Sequence, residues 1–274
     1  AVGYRALTTQ TTGASNTAVG NDALRLNTTG TKNSAVGFEA LAANTTANSN
    51  TAIGYTSLKT NTTGVHNVGC GYETLMSNTT GGSNVAVGLE ALRSNTTASD
   101  NTAVGRGALY ANTTGDKNVA VGSLCLDANT TGGNLTAIGY EALTANTTAS
   151  HNTAVGMYAL RTNTTGGSNT AVGTDALRYA TTSVENTAVG YYALRACTTG
   201  VGQSTAMGKY ALNACTTGTS NTAVGAHTLN ALTTGSNNMA FGSHSLKGVT
   251  TGTHNQGHGY EAGTAITTGS GNVA

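Results

Sequence analysis

Residues 16–32 read Asn-Thr-Ala-Val-Gly-Asn-Asp-Ala-Leu-Arg-Leu-Asn-Thr-Thr-Gly-Thr-Lys, and variants of this stretch fill the chain of 274 residues. The glycine that closes each Ala-Val-Gly triplet returns every 17 residues from Gly3 to Gly190. After one extra residue among positions 201–204, the same period resumes from Gly208 to Gly259. A short fixed period is typical of a solenoid, in which each repeat packs against its neighbours. The sequence therefore predicts sixteen coils of one repeat each.

The rows formed by equivalent positions predict an all-β fold, a parallel β-solenoid or β-roll. The Val position is apolar from Val2 to Phe241, and the Leu position holds Leu from Leu7 to Leu246 and fails only at Gly263, so we expect both rows to face the core. Gly after Val predicts a tight corner. Two strands per coil are expected, with one short helical turn at Ala-Leu, because Asp22 and Arg25 carry opposite charges three residues apart.

The polar rows of the repeat are as regular as the apolar ones. The Thr-Thr pair is present in all sixteen repeats, and we expect one Thr to face outward and the other to form a hydrogen bond within the turn. The Asn that begins Asn-Thr-Ala-Val-Gly is expected to satisfy backbone groups at a corner. No break in composition interrupts the repeat, so 1–274 is interpreted as a single solenoid segment, uncapped at both ends and part of a longer fibre protein.

Composition argues against several classes of function. The net charge is +1 and only 8% of the residues are charged, which gives no electrostatic footprint for nucleic acid. No apolar run approaches the length needed to cross a bilayer, so no membrane insertion is expected. Ser and His occur only at variable positions of the repeat, and no nucleophile–base set stands out. We therefore expect no enzyme activity and no cofactor.

The unit Asn-Thr-Ala-Val-Gly-x-x-Ala-Leu-x-x-Asn-Thr-Thr-Gly resembles the head repeat of trimeric autotransporter adhesins, although that repeat is shorter and lacks Ala-Leu. It is more similar to repeats in phage tail-fibre proteins and related bacterial surface proteins. The resemblance covers the whole chain and implies an elongated homotrimer at an extracellular or virion surface. It transfers no catalytic residue.

Two clusters at equivalent positions of successive coils are candidate sites. His227, His244 and Glu261 would form a vertical row, which could offer ligands to a metal, although a solvated row is the simpler interpretation. Arg161, Arg178 and Arg195 also stack in consecutive coils and could form a shallow patch for glycan or lipopolysaccharide. A solvated basic strip is the more economical interpretation of the arginines.

The row that holds Asn from Asn27 to Asn163 becomes apolar in the last six coils. Its members there are Ala180, Cys197, Cys215, Leu232, Val249 and Ile266. We expect this apolar row to lie against sister chains as a trimer interface, with a local widening of the chain's own core as the alternative. Cys197 and Cys215 could come within disulfide range, but free thiols are favoured. Cys70 and Cys125 replace core Val and Ala and are expected to be inert.

These features predict a structural or adhesive fibre segment, the shaft or head of a tail fibre or surface adhesin. Such a segment would project a binding tip or contact a cell-surface glycan or another receptor. The alternative is an ice- or glycan-binding β-solenoid that uses the regular Thr and Asn rows. Sixteen coils at a strand spacing of about 4.8 Å would give a rod of roughly 75 Å.

Overall fold

The computed structural model describes residues 1–200 and 202–274. It divides into two units, Ala1–Leu135 and Thr136–Ala274. Each unit is an all-β parallel solenoid in which one strand of three residues is contributed by each coil. Partner residues in neighbouring strands are 17 apart in sequence, as Val19 and Val36 show, so the predicted fold class is confirmed.

All the strands are parallel to their sequence neighbours within each unit, so no connection crosses another coil. The first unit contains β1 Thr17–Val19, β2 Ser34–Val36, β3 Thr51–Ile53, β4 Val68–Cys70, β5 Val85–Val87, β6 Thr102–Val104 and β7 Val119–Val121. The second contains β8 Thr136–Ile138, β9 Thr153–Val155, β10 Thr170–Val172, β11 Thr187–Val189, β12 Thr205–Met207, β13 Thr222–Val224, β14 Met239–Phe241 and β15 Gln256–His258. Among residues 1–200 and 202–274, no coil forms more than one strand, so the expected second strand is wrong.

Each strand faces the core through its central residue and not through its Val. Ala18 is fully buried, whereas the flanking Val19 is 40% exposed. Successive strand residues point to opposite faces, so Thr17 and Val19 share the outer face. The predicted inward Val row is therefore wrong. Leu24 is fully buried, and the same holds from Leu24 to Leu246, whereas Leu7 in the first coil is half-buried; the predicted inward Leu row is confirmed.

The segment after the corner is a chain of β-turns, and the structure contains no helix among its described residues. In the coil of β1, hydrogen bonds run from Ala23 N–H to Gly20 C=O, from Arg25 to Asp22 and from Asn27 to Leu24. The φ angles are +56° at Asp22 and +50° at Leu24, which are the positive values that the third residue of a type II turn requires. The expected helical turn is wrong. Residues three apart still meet, because each turn brings its ends together.

Glycine is required at the corner after each strand. Gly54 has φ +136°, a conformation that residues with a Cβ rarely adopt. A Cβ built on Gly54 would overlap the carbonyl oxygen of Gly71 in the next coil. The same conformation and close approach recur in successive coils of each unit, which confirms the predicted corner.

The interior is narrow, and the loss of a side-chain group at one inward position is compensated by added groups at neighbouring inward positions. Gly69 replaces the usual strand Ala, and hydroxyls replace the usual Ala at the neighbouring positions Ser57 and Thr74. The Ser57 and Thr74 hydroxyls lie 2.8 Å apart in a hydrogen bond, and Ser57 Oγ also donates to Gly69 C=O at 3.1 Å. A Cβ on Gly69 would lie 2.5 Å from Ser57 Oγ. The extra oxygens thus occupy the space that the missing methyl leaves.

The one-residue insertion leaves the core of the second unit unbroken. Thr187 pairs with Thr205 across an interval of 18 residues, and the sheet continues into β12. Leu194 and Leu212 are both fully buried, and Leu194 N–H donates to Ala211 C=O at 2.9 Å. The expectation of a continuous core is confirmed. Part of the predicted bulge, Val201, lies outside the described residues.

Candidate functional site

Two ladders of Asn side chains tie the coils together. The corner ladder contains the Asn that begins each repeat: Asn33 Nδ2 donates to Ala47 C=O at 2.8 Å, and its Oδ1 accepts from Asn50 N–H at 3.0 Å. The inner ladder contains the Asn before Thr-Thr: Asn61 Nδ2 donates to Asn44 Oδ1 at 3.2 Å and to Gly64 C=O at 2.9 Å. These side chains are buried. The predicted corner role of Asn is confirmed, and the Asn rows are not available to a ligand.

The Thr-Thr pair divides as predicted into one bonded and one outward residue. Thr28 Oγ1 donates to Thr45 C=O at 3.1 Å, so its bond reaches the next coil and not its own turn. Thr29 is exposed, and the second Thr of the pair is exposed in the other coils as well. The exposed column of second threonines is therefore a surface feature of both units.

The apolar row predicted as a trimer interface lies inside the coil instead. Ala180, Cys197, Cys215, Leu232 and Val249 have no exposed surface in the single chain, and Ile266 in the last coil is half-buried. The row continues the inner Asn ladder, which is equally buried. A fully buried side chain has no area left for a second chain, so the interface prediction is wrong for these five residues. The alternative, a row in the chain's own core, is what the structure has.

The four cysteines are all free, as favoured for Cys197 and Cys215. Burial raises the pKa of Cys125 and of Cys197 to about 12 and that of Cys215 to about 11. Cys197 Sγ donates to Ser183 Oγ at 3.1 Å. A buried thiol with a raised pKa is a poor nucleophile. Cys70 is exposed, because it occupies the outward Val row, so its expected place in the core is wrong.

The histidines of the proposed metal row stack on each other. The His227 and His244 rings are 5.1 Å apart and 8° from parallel, and Tyr210 stacks on His227 at 5.1 Å. Burial, and then the neighbouring His244, Lys209 and Lys247, lower the pKa of His227. Residues 1–200 and 202–274 contain no group of three or more His, Cys, Asp or Glu side chains that could hold a metal ion, and Glu261 does not complete one.

The three arginines of the row in the second unit are paired within the chain with two carboxylates. Arg161 Nε lies 2.7 Å from Glu141, and Arg178 Nη1 lies 2.9 Å from the largely buried Asp175. Arg195 Nε lies 3.8 Å from the same carboxylate. The guanidiniums also lie over tyrosine rings: Arg161 and Arg178 over Tyr158, Arg178 and Arg195 over Tyr179, and Arg195 over Tyr192. These charges are committed to internal partners, which favours a structural strip over an anion site.

The charged row of the first unit is balanced in the same way. Four carboxylates pair with four cations, in the pairs Asp22 with Arg5 and Arg25, Glu39 with Lys59, and Glu73 and Glu90 with Arg93. The shortest contact is 2.6 Å between Arg93 Nε and Glu73 Oε2. The hydrogen bond from Arg93 lowers the pKa of Glu73. These eight paired charges therefore balance one another, and Asp127 is a further carboxylate at an equivalent position.

The largest feature that the sequence interpretation missed is an apolar outer surface. We call it the outer face of the first unit and define it by the outward strand positions Val19, Val36, Ile53, Cys70, Val87, Val104 and Val121 and by the neighbouring Phe38, Tyr55, Tyr72 and Leu89. The Val and Ile side chains of this face are 36–44% exposed and its aromatic side chains 40–46%. The rings stack at 5.3 Å for Phe38 with Tyr55 and at 5.2 Å for Tyr55 with Tyr72. The alternation in Thr-Ala-Val was the available signal.

The described part of the chain has no detected pocket. It also has no helix long and apolar enough to span a membrane. Comparison with protein-family models, with curated proteins and with solved structures finds no match to this chain.

Proposed function

We propose that this chain is a structural segment of an adhesive fibre, built as a homotrimer and placed at an extracellular or virion surface. The observation that carries the proposal is that the repeated residues of each coil connect it to the neighbouring coils. The Gly corner, the two Asn ladders and the Thr hydroxyls all bond the coil to its neighbours. Adding such a coil extends the stack without creating a new site.

The charge distribution supports the same proposal. Asp22, Glu39, Glu73 and Glu90 of the first unit each have a cation beside them. The arginine row of the second unit is paired with Glu141 and Asp175. Surfaces without a concentrated charge suit a segment that holds other parts at a distance. The resemblance to tail-fibre and adhesin repeats points in the same direction.

The test is the molar mass of the purified chain by light scattering at micromolar concentration, together with electron microscopy of the particles. The proposal predicts the mass of three 27.1 kDa chains in elongated particles. A folded particle with the mass of one chain would contradict the homotrimer. Compact particles would contradict the fibre.

Ice binding is the second candidate, supported by the exposed column of second threonines. A second column is available in the second unit, where six consecutive strands begin with Thr, from Thr136 to Thr222. In the first unit Ser34, Val68, Val85 and Val119 interrupt the equivalent column. The buried Asn rows contribute nothing to this candidate. Thermal hysteresis of the purified chain measures it directly, and its absence at millimolar concentration would rule it out.

A further inference from the structure

We propose that the outer face of the first unit is the surface through which the three copies of this chain join, each face meeting the same face of the other two copies at a common axis. This inference rests on the proposed homo-oligomeric fibre and adds which surface makes the contact. The face consists of the outward strand row from Val19 to Val121 and the adjacent Phe38, Tyr55, Tyr72 and Leu89, whose row continues with the exposed Arg106.

The first support is the exposed apolar area. Side chains exposed by 36–46% recur in successive coils without an interrupting charge in the strand row. Taking about 60 Å² for each aliphatic and about 90 Å² for each aromatic residue, the face offers about 700 Å², close to the roughly 800 Å² per partner of a stable interface. Monomeric proteins rarely expose a continuous apolar patch of this size.

The second support is the spacing of the face, which fits a second copy. Its apolar side chains repeat once per coil, at the strand spacing of about 4.8 Å. A partner must carry the same spacing to make the same contact at each coil. Another copy of the chain meets this condition, whereas a globular partner with an irregular surface meets it at one or two coils only.

The third support is the electrostatics at the edge of the face. The charged row that borders these residues holds four cations and four carboxylates in ion pairs, such as Glu39 with Lys59 and Glu73 with Arg93. The eight paired charges balance, so they add no net repulsion when identical faces approach. The exposed Arg106 is one cation at the end of the aromatic row, which does not make the concentrated cationic surface that recognises a nucleic acid or another polyanion.

Cys70 provides a reporter for this contact, because it lies in the middle of the strand row and is exposed in the single chain. Cys125, Cys197 and Cys215 are buried. In an assembly that uses the outer face, a maleimide reagent should label none of the four thiols of the native chain. In a chain released from the assembly it should label Cys70 alone.

The experiment compares the full-length chain with the double variant Val87→Lys/Val104→Lys by light scattering and maleimide labelling. Two lysines on the face should reduce the mass to that of one chain and expose Cys70, while circular dichroism keeps its β signal. The control is Thr97→Lys, an exposed position in the coil that contains Val87 but outside the outer face. It should leave both the mass and the protection of Cys70 unchanged.

A second variant covers a failure of the lysine variant to fold. Val87→Thr/Val104→Thr keeps the strand propensity, and it replaces two apolar side chains of the face with Thr, the residue that also begins many of the strands. It should weaken assembly and shift the concentration for half-dissociation upward by at least tenfold.

The outcomes separate this inference from the proposed fibre. A wild-type chain that is a folded monomer overturns both. If the wild-type chain is an oligomer whose Cys70 reacts with maleimide, and the double-lysine variant has the same mass, only the assignment of the face is overturned.

Discussion

The end of the inner Asn ladder permits a sharp test of what holds the coils together. Asn95 lies within the ladder: its Nδ2 donates to Asn78 Oδ1 at 2.8 Å, and its Oδ1 accepts from Asn112 Nδ2 at 3.1 Å. Asn163 lies at the end of the ladder, because Ala180 occupies the next coil. Its Nδ2 donates to Asn146 Oδ1 at 3.1 Å, but its own Oδ1 is buried without a hydrogen-bond partner.

The perturbation is Asn→Leu at each position, which is nearly isosteric, and Leu232 already occupies this row in another coil. Asn95→Leu leaves Asn78 Oδ1 and one Asn112 N–H without these bonds. Ala98 C=O keeps its bond from Asn84 at 2.8 Å. Each buried polar group that loses its partner costs about 1–3 kcal/mol, so we expect Asn95→Leu to destabilise the chain by about 2–6 kcal/mol.

Asn163→Leu removes one bond to Asn146 but also removes an oxygen that is already unsatisfied. The two effects are of similar size and opposite sign and nearly cancel, so its cost should be lower than that of Asn95→Leu by about 2–6 kcal/mol. The physical reason is the position in the ladder, since the residue type, the burial and the substitution are the same.

The assay is urea unfolding of the full chain, combined with native-state hydrogen exchange, because coils of a solenoid can open locally. The local reporters are the amides of Thr79, bonded to Thr96 C=O at 2.8 Å, and of Thr164, bonded to Thr181 C=O at 2.9 Å. A loss of about 3 kcal/mol corresponds to roughly a 100-fold loss of protection. Equal losses near the two sites would refute the ladder as the origin of the effect.

Three further outcomes follow from the same structure. Gly54→Ala should lower the free energy of unfolding in urea by at least about 2 kcal/mol, because it forces a side chain into a conformation at φ +136°. Gly202→Ala is the control and should have little effect, because its added Cβ would make only ordinary contacts. Similar losses for both variants would contradict the requirement for Gly at the corner. Because Arg93 lowers the pKa of Glu73, the carboxylate stabilises the fold above its unfolded pKa of about 4.3, and this contribution disappears as the pH falls through the lower folded pKa. In melting experiments Glu73→Gln should therefore lower the free energy of unfolding by about 0.2–1 kcal/mol at pH 7 and leave it unchanged at pH 2. With pKa values raised to about 12, 12 and 11, Cys125, Cys197 and Cys215 should stay unlabelled by maleimide at pH 7.5 until urea unfolds the chain, and labelling of any of them in the native state would show that the core opens.

The sequence by itself determined the features that follow from exact repetition. The period of 17 predicted parallel coils because only stacking places equivalent residues such as Val19 and Val36 side by side. The repeated Gly predicted the corner, and the repeated Leu predicted the core, because these positions tolerate little else in successive coils. The opposite charges of Asp22 and Arg25 predicted a contact, which the structure has at 3.4 Å through a turn instead of a helix.

The tertiary structure alone decided which residues of each coil face inward. Alternation in Thr-Ala-Val allows either Ala or Val to be buried, and hydrophobicity favoured Val. The coil instead closes around Leu24, which enters from the turns and leaves room for no more than Ala18 and Ala23 beside it. The coil of the single chain also encloses Cys197 and Leu232, in the row that the sequence placed between chains, because that row lies on the inner side of the coil, whereas the strand Val and Ile side chains alternate to the outer side.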